Sequence, residues 1–154
     1  MSNLSDYAES GLLTHIYRND SFSKPGGISI ALTSSVPLDG DTGATIAEIP
    51  SGINGSGTGY DRIPLGDPSA SGDATWDLDP ADLAAGSGRI TNKNAILFET
   101  ALLDWGWMSG IVILDSNAYG AGNILNQGAV DNARVIYTGD GVKFDVGSIV
   151  LNFQ

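Results

Sequence analysis

The sequence predicts a mainly β protein, a single antiparallel β-sandwich or jelly-roll-like domain with a short N-terminal α-helix. Three observations carry this expectation. Apolar residues recur every four positions over the first sixteen residues, and from Ile28 onward the period drops to two. In addition, 21 glycines, together with Asp- and Pro-rich turns, cut the chain into short apolar runs. A chain of 154 residues fits one domain, 1–154, and buries a core without staples. Residues 1–20 form the helical arm and 28–154 the β-domain, with a long loop excursion at about 66–88.

The arm is read from Leu4, Ala8, Leu12 and Ile16, with Tyr7 on the same side. Ser2 or Asn3 is placed to cap it, and Asp6 and Glu9 fall in the first turns, where the helix dipole favours anions. Gly11 weakens its middle by about 1 kcal/mol relative to Ala. Asn19-Asp20 and Pro25-Gly-Gly end it. A helix this short needs tertiary or partner contacts to persist.

Ile28, Ile30 and Leu32 then alternate with smaller residues, and Pro37-Leu-Asp-Gly-Asp-Thr-Gly supplies a turn. A short run at Thr45–Ile49 stops at Pro50, and Tyr60–Ile63 reads as a strand after a glycine-rich stretch. From Gly66 to Gly88 only Trp76, Leu78 and Leu83 offer apolar anchors. Strand-length apolar runs follow at Asn94–Phe98, Trp107–Leu114, Asn123–Val130 and Ala133–Tyr137. Thr138-Gly-Asp-Gly is a strong hairpin signal. Val142, Phe144 and Val146 alternate in one phase, and Ile149, Leu151 and Phe153 in the other, so an insertion or bulge is expected at Gly147-Ser148. No internal repeat of fixed period is present.

The charge balance narrows the partners. Eighteen acidic against seven basic residues give a net charge of −11, and no two basic residues are adjacent. Phosphate backbones and anionic membranes repel such a surface, so no direct nucleic-acid or membrane partner is expected. The absence of cysteine removes disulfides, thiolate ligands and a thiol nucleophile, and fits assembly in a reducing cytoplasm. The N-terminus lacks the pattern of a signal peptide, and no apolar run is long enough to span a membrane.

Catalytic chemistry finds little support. His15 is the sole histidine, and no Gly-x-Ser-x-Gly elbow accompanies it. Asp104 beside Trp105-Gly-Trp107 suggests an acid on a sugar platform, but a second carboxylate at about 5–9.5 Å would be needed. Residues two apart share one face of a strand, so the tryptophans are better read as filling core or interface. Asp39-Gly-Asp41 and the group Asp73, Asp77, Asp79 and Asp82 offer hard oxygen ligands without the spacing of a calcium loop, and solvated turn acids explain them as well. Gly55-Ser-Gly-Thr-Gly59 lacks phosphate-loop spacing. No catalytic, cofactor or metal residue is therefore assigned.

Several segments, in order, carry a resemblance. They are Gly11-Leu-Leu-Thr-His-Ile-Tyr-Arg, Phe22-Ser-Lys-Pro, Ile28-Ser-Ile-Ala-Leu-Thr, Asp41-Thr-Gly-Ala-Thr-Ile-Ala-Glu and Gly57-Thr-Gly-Tyr-Asp-Arg. Thr91-Asn-Lys-Asn-Ala-Ile-Leu-Phe, Asp104-Trp-Gly-Trp, Ile111-Val-Ile-Leu-Asp and Gly139-Asp-Gly-Val-Lys-Phe complete the series. Together they resemble short tailed-phage virion proteins, many labelled tail-fibre proteins and some acting as capsid cement or decoration proteins. Pro68–Gly88 departs from the pattern, being longer and more acidic.

The resemblance implies a non-enzymatic structural protein of the virion without cofactor, self-associating as a homotrimer. The first reading is a cement protein on the outer capsid surface with the major capsid protein as partner, where multivalency makes modest contacts sufficient. The alternative is a tail-fibre, tail-tip or adaptor component that binds a host receptor or a longer fibre. A glycan-degrading module stands third. The expected protein-interface residues are Leu4, Tyr7, Leu12, Ile16 and Phe22 on the arm, and Trp105 and Trp107 on the β-domain. The competing expectation for the arm is that it covers an open end of its own sheet.

Overall fold

Ser5 decides where the helix begins. Its backbone is extended (φ −80°, ψ 160°), its hydroxyl oxygen accepts from the Ala8 N–H, and its O–H donates to the Ile124 carbonyl. The helix α1 therefore spans Asp6–Tyr17, with Asp6 and Glu9 in its first turn as the sequence predicts. The cap expected at Ser2 or Asn3 is displaced because Ser2–Leu4 forms a strand, β1. Leu4 thus belongs to the sheet and leaves the helical stripe. The computed structural model describes residues 2–50, 57–68, 76–77, 86 and 88–152.

The remaining strands in order are β2 (Ile28–Thr33), β3 (Ile63–Gly66), β4 (Trp76–Asp77), β5 (Arg89–Asn92), β6 (Ile96–Leu97), β7 (Gly106–Leu114), β8 (Ile124–Ile136), β9 (Lys143–Phe144) and β10 (Val150–Asn152). Seven of these and β1 make one eight-stranded sheet in the order β3-β2-β7-β8-β1-β10-β5-β4, and β6 pairs with β9 in a second, two-stranded sheet. The pairings are antiparallel except β1 with β10, which run parallel. The fold is thus mainly β with antiparallel sheets and one N-terminal helix, as the sequence predicts.

Alternation on β2 and β7 builds two apolar layers. Ile28, Ile30 and Leu32 enter the main core with Met108, Ile113, Tyr60, Phe98, Trp105 and Ile136. Ala31 points the other way and meets Val112, Leu114 and Ile124, with Ile46 packed over them. Both faces of β2 are therefore buried, and all six of its residues with them.

Several local expectations are corrected. The two runs 123–130 and 133–137 form a single strand, β8, interrupted by a wide bulge. Between the pairs Met108–Arg134 and Gly110–Ala129, only Ser109 of β7 faces residues 130–133 of β8. Thr138-Gly139 does turn, with Asp140 N–H bonded to Tyr137 O at 2.9 Å. The chain then leaves β8, because Phe98 and Ala101 N–H bond to the Val142 and Asp140 carbonyls and draw it towards β6. Thr45–Ile49 is not a strand, since Thr45 and Ile46 N–H both bond to Thr42 O and curl the backbone. The strand expected at 60–63 starts at Ile63. Of the 66–88 excursion, Trp76–Asp77 forms an edge strand on β5. Leu78, Leu83, Asp73, Asp79 and Asp82 lie outside the described residues, as does Phe153.

Candidate contact surfaces

One polar cluster is buried and structural. Arg62 and Glu48 pair with side chains 0% and 2% exposed, Nη2 to Oε2 at 2.7 Å and Nε to Oε1 at 2.8 Å. The second guanidinium edge donates to the carbonyls of Ser116 at 2.9 Å and Ala121 at 2.8 Å. Tyr60 O–H donates to Glu48 at 3.0 Å, and its oxygen accepts from Leu32 N–H at 3.0 Å. Burial, reinforced by the Glu48 carboxylate, holds the Tyr60 phenol well above its ordinary pKa. With each nitrogen of the guanidinium engaged, the cluster ties β2, the approach to β3 and the β7–β8 loop together. Nothing in the sequence marked this pair, because its members are 14 residues apart in unremarkable segments.

The tryptophans part company. Trp105 is 3% exposed, donates Nε1–H to Thr58 O at 2.9 Å and meets Tyr60 edge-on at 5.3 Å. Trp107 is 50% exposed. Residues two apart share a face only along a regular strand, and Gly106 at φ +89° breaks the alternation between them. Trp105 is therefore a core residue and Trp107 a surface one.

Around Trp107 the sequence left further apolar side chains unremarked. Leu102, Leu103 and Tyr137 are also exposed. Backbone bonds from Trp105 N–H to Ile136 O and from Gly139 N–H to Ala101 O, with the Trp107–Val135 pair, gather them at one end of the β7–β8 hairpin. Asp104 lies there too, accepting from Thr138 N–H at 2.8 Å and Thr138 O–H at 2.9 Å. Those two bonds hold its carboxyl below the ordinary aspartate range, so it stays anionic. They account for the carboxylate that had suggested a sugar acid.

The arm forms the second surface. Leu4 and Leu12 are half-buried, Ala8 is the helix's one buried residue, and Ile16 is 64% exposed. Phe22 folds back so closely over Gly11 that a Cβ there would overlap its ring, and its edge meets Tyr7 at 5.6 Å. His15 caps this return, Nδ1 accepting from Phe22 N–H at 3.3 Å. The sequence missed Leu13 and Tyr17. Both are exposed, and one turn apart they lie on the side away from Ala8, with Ile16 between that side and the buried stripe. The helix is thus apolar on two sides, one of which the described residues leave uncovered.

The turn acids are accounted for locally. Asp41 accepts from Leu38 N–H and Thr45 O–H, and Asp39 from Gln127 Nε2 at 2.6 Å. Among the described residues no three His, Cys, Asp or Glu side chains are grouped to hold a metal ion, and no helix is long and apolar enough to cross a membrane. Gly55 falls outside the described residues.

A β-scaffold whose conspicuous surfaces are apolar patches is the architecture of a protein that acts by contact. Residues 3–152 match the family described as Podophage GP4 fiber I protein gp80. The match covers nearly the whole chain, and the chain belongs to this family of tailed-phage virion structural proteins. No curated protein matches it.

Proposed function

We propose that the chain is a non-enzymatic fibre component of the virion tail that works by binding other proteins, including further copies of itself. The observation that carries this reading is the family match over residues 3–152, whose description is that of a fibre protein. The physical features agree with it. Apolar surface at α1 and at Trp107 suits permanent assembly, and a net charge of −11 keeps unassembled copies soluble. The same features would serve a cement protein on the outer capsid surface bound to the major capsid protein, so location decides between the two. Antibody-gold labelling of intact virions is expected to mark the tail. Gold spread over the shell would replace the fibre reading with the cement one.

A further inference from the structure

We infer that the N-terminal arm is exchanged between copies: in the assembled particle, β1 and α1 of one copy dock in the slot between β8 and β10 of an adjacent copy. This goes beyond the fibre reading and stands or falls apart from it.

β1 lies between two strands from the far end of the chain. Ser2, Asn3 and Leu4 pair antiparallel with Gly128, Gln127 and Asn126 of β8, and Ser2 pairs parallel with Leu151 of β10. β1 alone joins β3-β2-β7-β8 to β10-β5-β4, so the eight-stranded sheet is complete only when this slot is filled. Strand pairing of this kind is made by main-chain groups, and Ser5 extends it, its N–H bonding to Leu125 O and its O–H to Ile124 O. α1 adds one buried side chain, Ala8, and a bond from Asp6 N–H to Asp39 O at 3.0 Å. The arm of a second copy meets the same partners, so exchange gives up none of these contacts.

The arm also holds together by itself. Phe22 returns over Gly11 and Tyr7, and His15 accepts its N–H. From Arg18 to Gly27 no residue is buried. The hydrogen bonds made there, Arg18 N–H to Thr14 O and Phe22 N–H to His15 Nδ1, lead back to α1 and none leads to the sheet. The tether to β2 is therefore Ser23–Gly27, with open space where a Cβ would stand at Gly26 and at Gly27. At about 3.3–3.6 Å per residue it reaches roughly 17 Å, which confines exchange to copies in direct contact.

Folding order supplies the opportunity. The arm precedes every other element, whereas the slot does not exist until β8 and β10 have formed from residues 124–152. Until then the arm is free, and slots on neighbouring chains are open to it. A short flexible tether holds a chain's own arm at an effective concentration of about millimolar, so dilute chains close on themselves. Copies packed side by side present their slots within the same reach, and their association has already been driven by assembly.

The chain has no cysteine, so one engineered pair reads whose arm fills the slot. Because Ser5 N–H bonds to Leu125 O, Leu4 and Asn126 form the adjacent non-hydrogen-bonded pair, where side chains stand closest and a disulfide can close. Phage carrying L4C/N126C are purified, oxidised and run on a non-reducing denaturing gel. Exchange is expected to shift this chain from monomer to linked dimers and larger species that return to monomer on reduction. A chain that stays monomeric, with an internal disulfide or with both thiols free, would overturn the proposal. If that variant fails to fold or to enter particles, S2C/G128C reads the same contact from the next non-hydrogen-bonded pair of the ladder. The gel gives its answer whether the chain sits on the tail or on the shell, so it does not depend on the fibre reading.

Discussion

Replacing Glu48 by alanine isolates the contribution of the buried ion pair. Arg62 makes four hydrogen bonds, two to Glu48 and two to the Ser116 and Ala121 carbonyls. Glu48→Ala leaves the two carbonyl contacts but strands a fully buried guanidinium without its counter-charge. Removing one partner of such a pair costs about 3–5 kcal/mol. For a chain of this size each kcal/mol shifts Tm by about 2–4 °C, so a fall of roughly 6–20 °C is expected. The loss should appear in urea as a lower midpoint at unchanged slope. Glu48→Leu combined with Arg62→Met should recover most of it, since an apolar pair of similar volume carries no uncompensated charge. A loss below about 1 kcal/mol for Glu48→Ala would contradict the view that this cluster holds the loops together.

Other consequences follow from single side chains. Tyr60 has its pKa raised by folding, so its contribution to stability is complete below the unfolded phenol value near 10 and declines as pH rises above it. Tyr60→Phe should flatten that alkaline decline in a pH series of melts, while costing about 1–3 kcal/mol at neutral pH through the unanswered Leu32 N–H. Asp104 has a lowered pKa, so its grip on Thr138 is present above the ordinary aspartate value and is lost as pH falls through the folded one. Amide exchange at Thr138, corrected for the intrinsic rate, should lose protection in acid, and Asp104→Asn should show reduced protection already at neutral pH. Gly43→Ala would place a Cβ 2.0 Å from the Ala121 carbonyl oxygen, and a loss of about 1–3 kcal/mol is expected by urea titration. Ser5→Ala should cost about 1 kcal/mol and loosen α1, visible as faster exchange at Ala8.

What the sequence revealed, and what it hid, divides along physical lines. Period-two patterning at Ile28–Leu32 and the long apolar run before Leu114 located β2 and β7, because both are central strands whose side chains report their own burial. Strand partners were not legible. The chain after Thr138-Gly139 pairs with β6 instead of returning along β8, a choice made by backbone carbonyls that carry no side-chain signature. The helix start was missed for the same reason: Ser2–Leu4 is claimed by two neighbouring strands, and local capping rules see only the chain itself. Of the exposed residues on the arm, Ile16 and Tyr7 lie on the stripe read from its spacing. Leu13 and Tyr17 were passed over because a search for one buried stripe discards apolar residues on the opposite side. Trp105 and Trp107 were grouped by an alternation that Gly106 interrupts.

The central claim is that this is a fibre component of the tail, and copy number tests it most directly. Purified virions, with the molar ratio of this chain to major capsid protein measured by quantitative mass spectrometry, give the answer in one experiment. The account predicts a ratio that is a small fraction, as for a component confined to the tail. A ratio near unity, or another value repeated over the whole shell lattice, would contradict it and place the protein on the capsid.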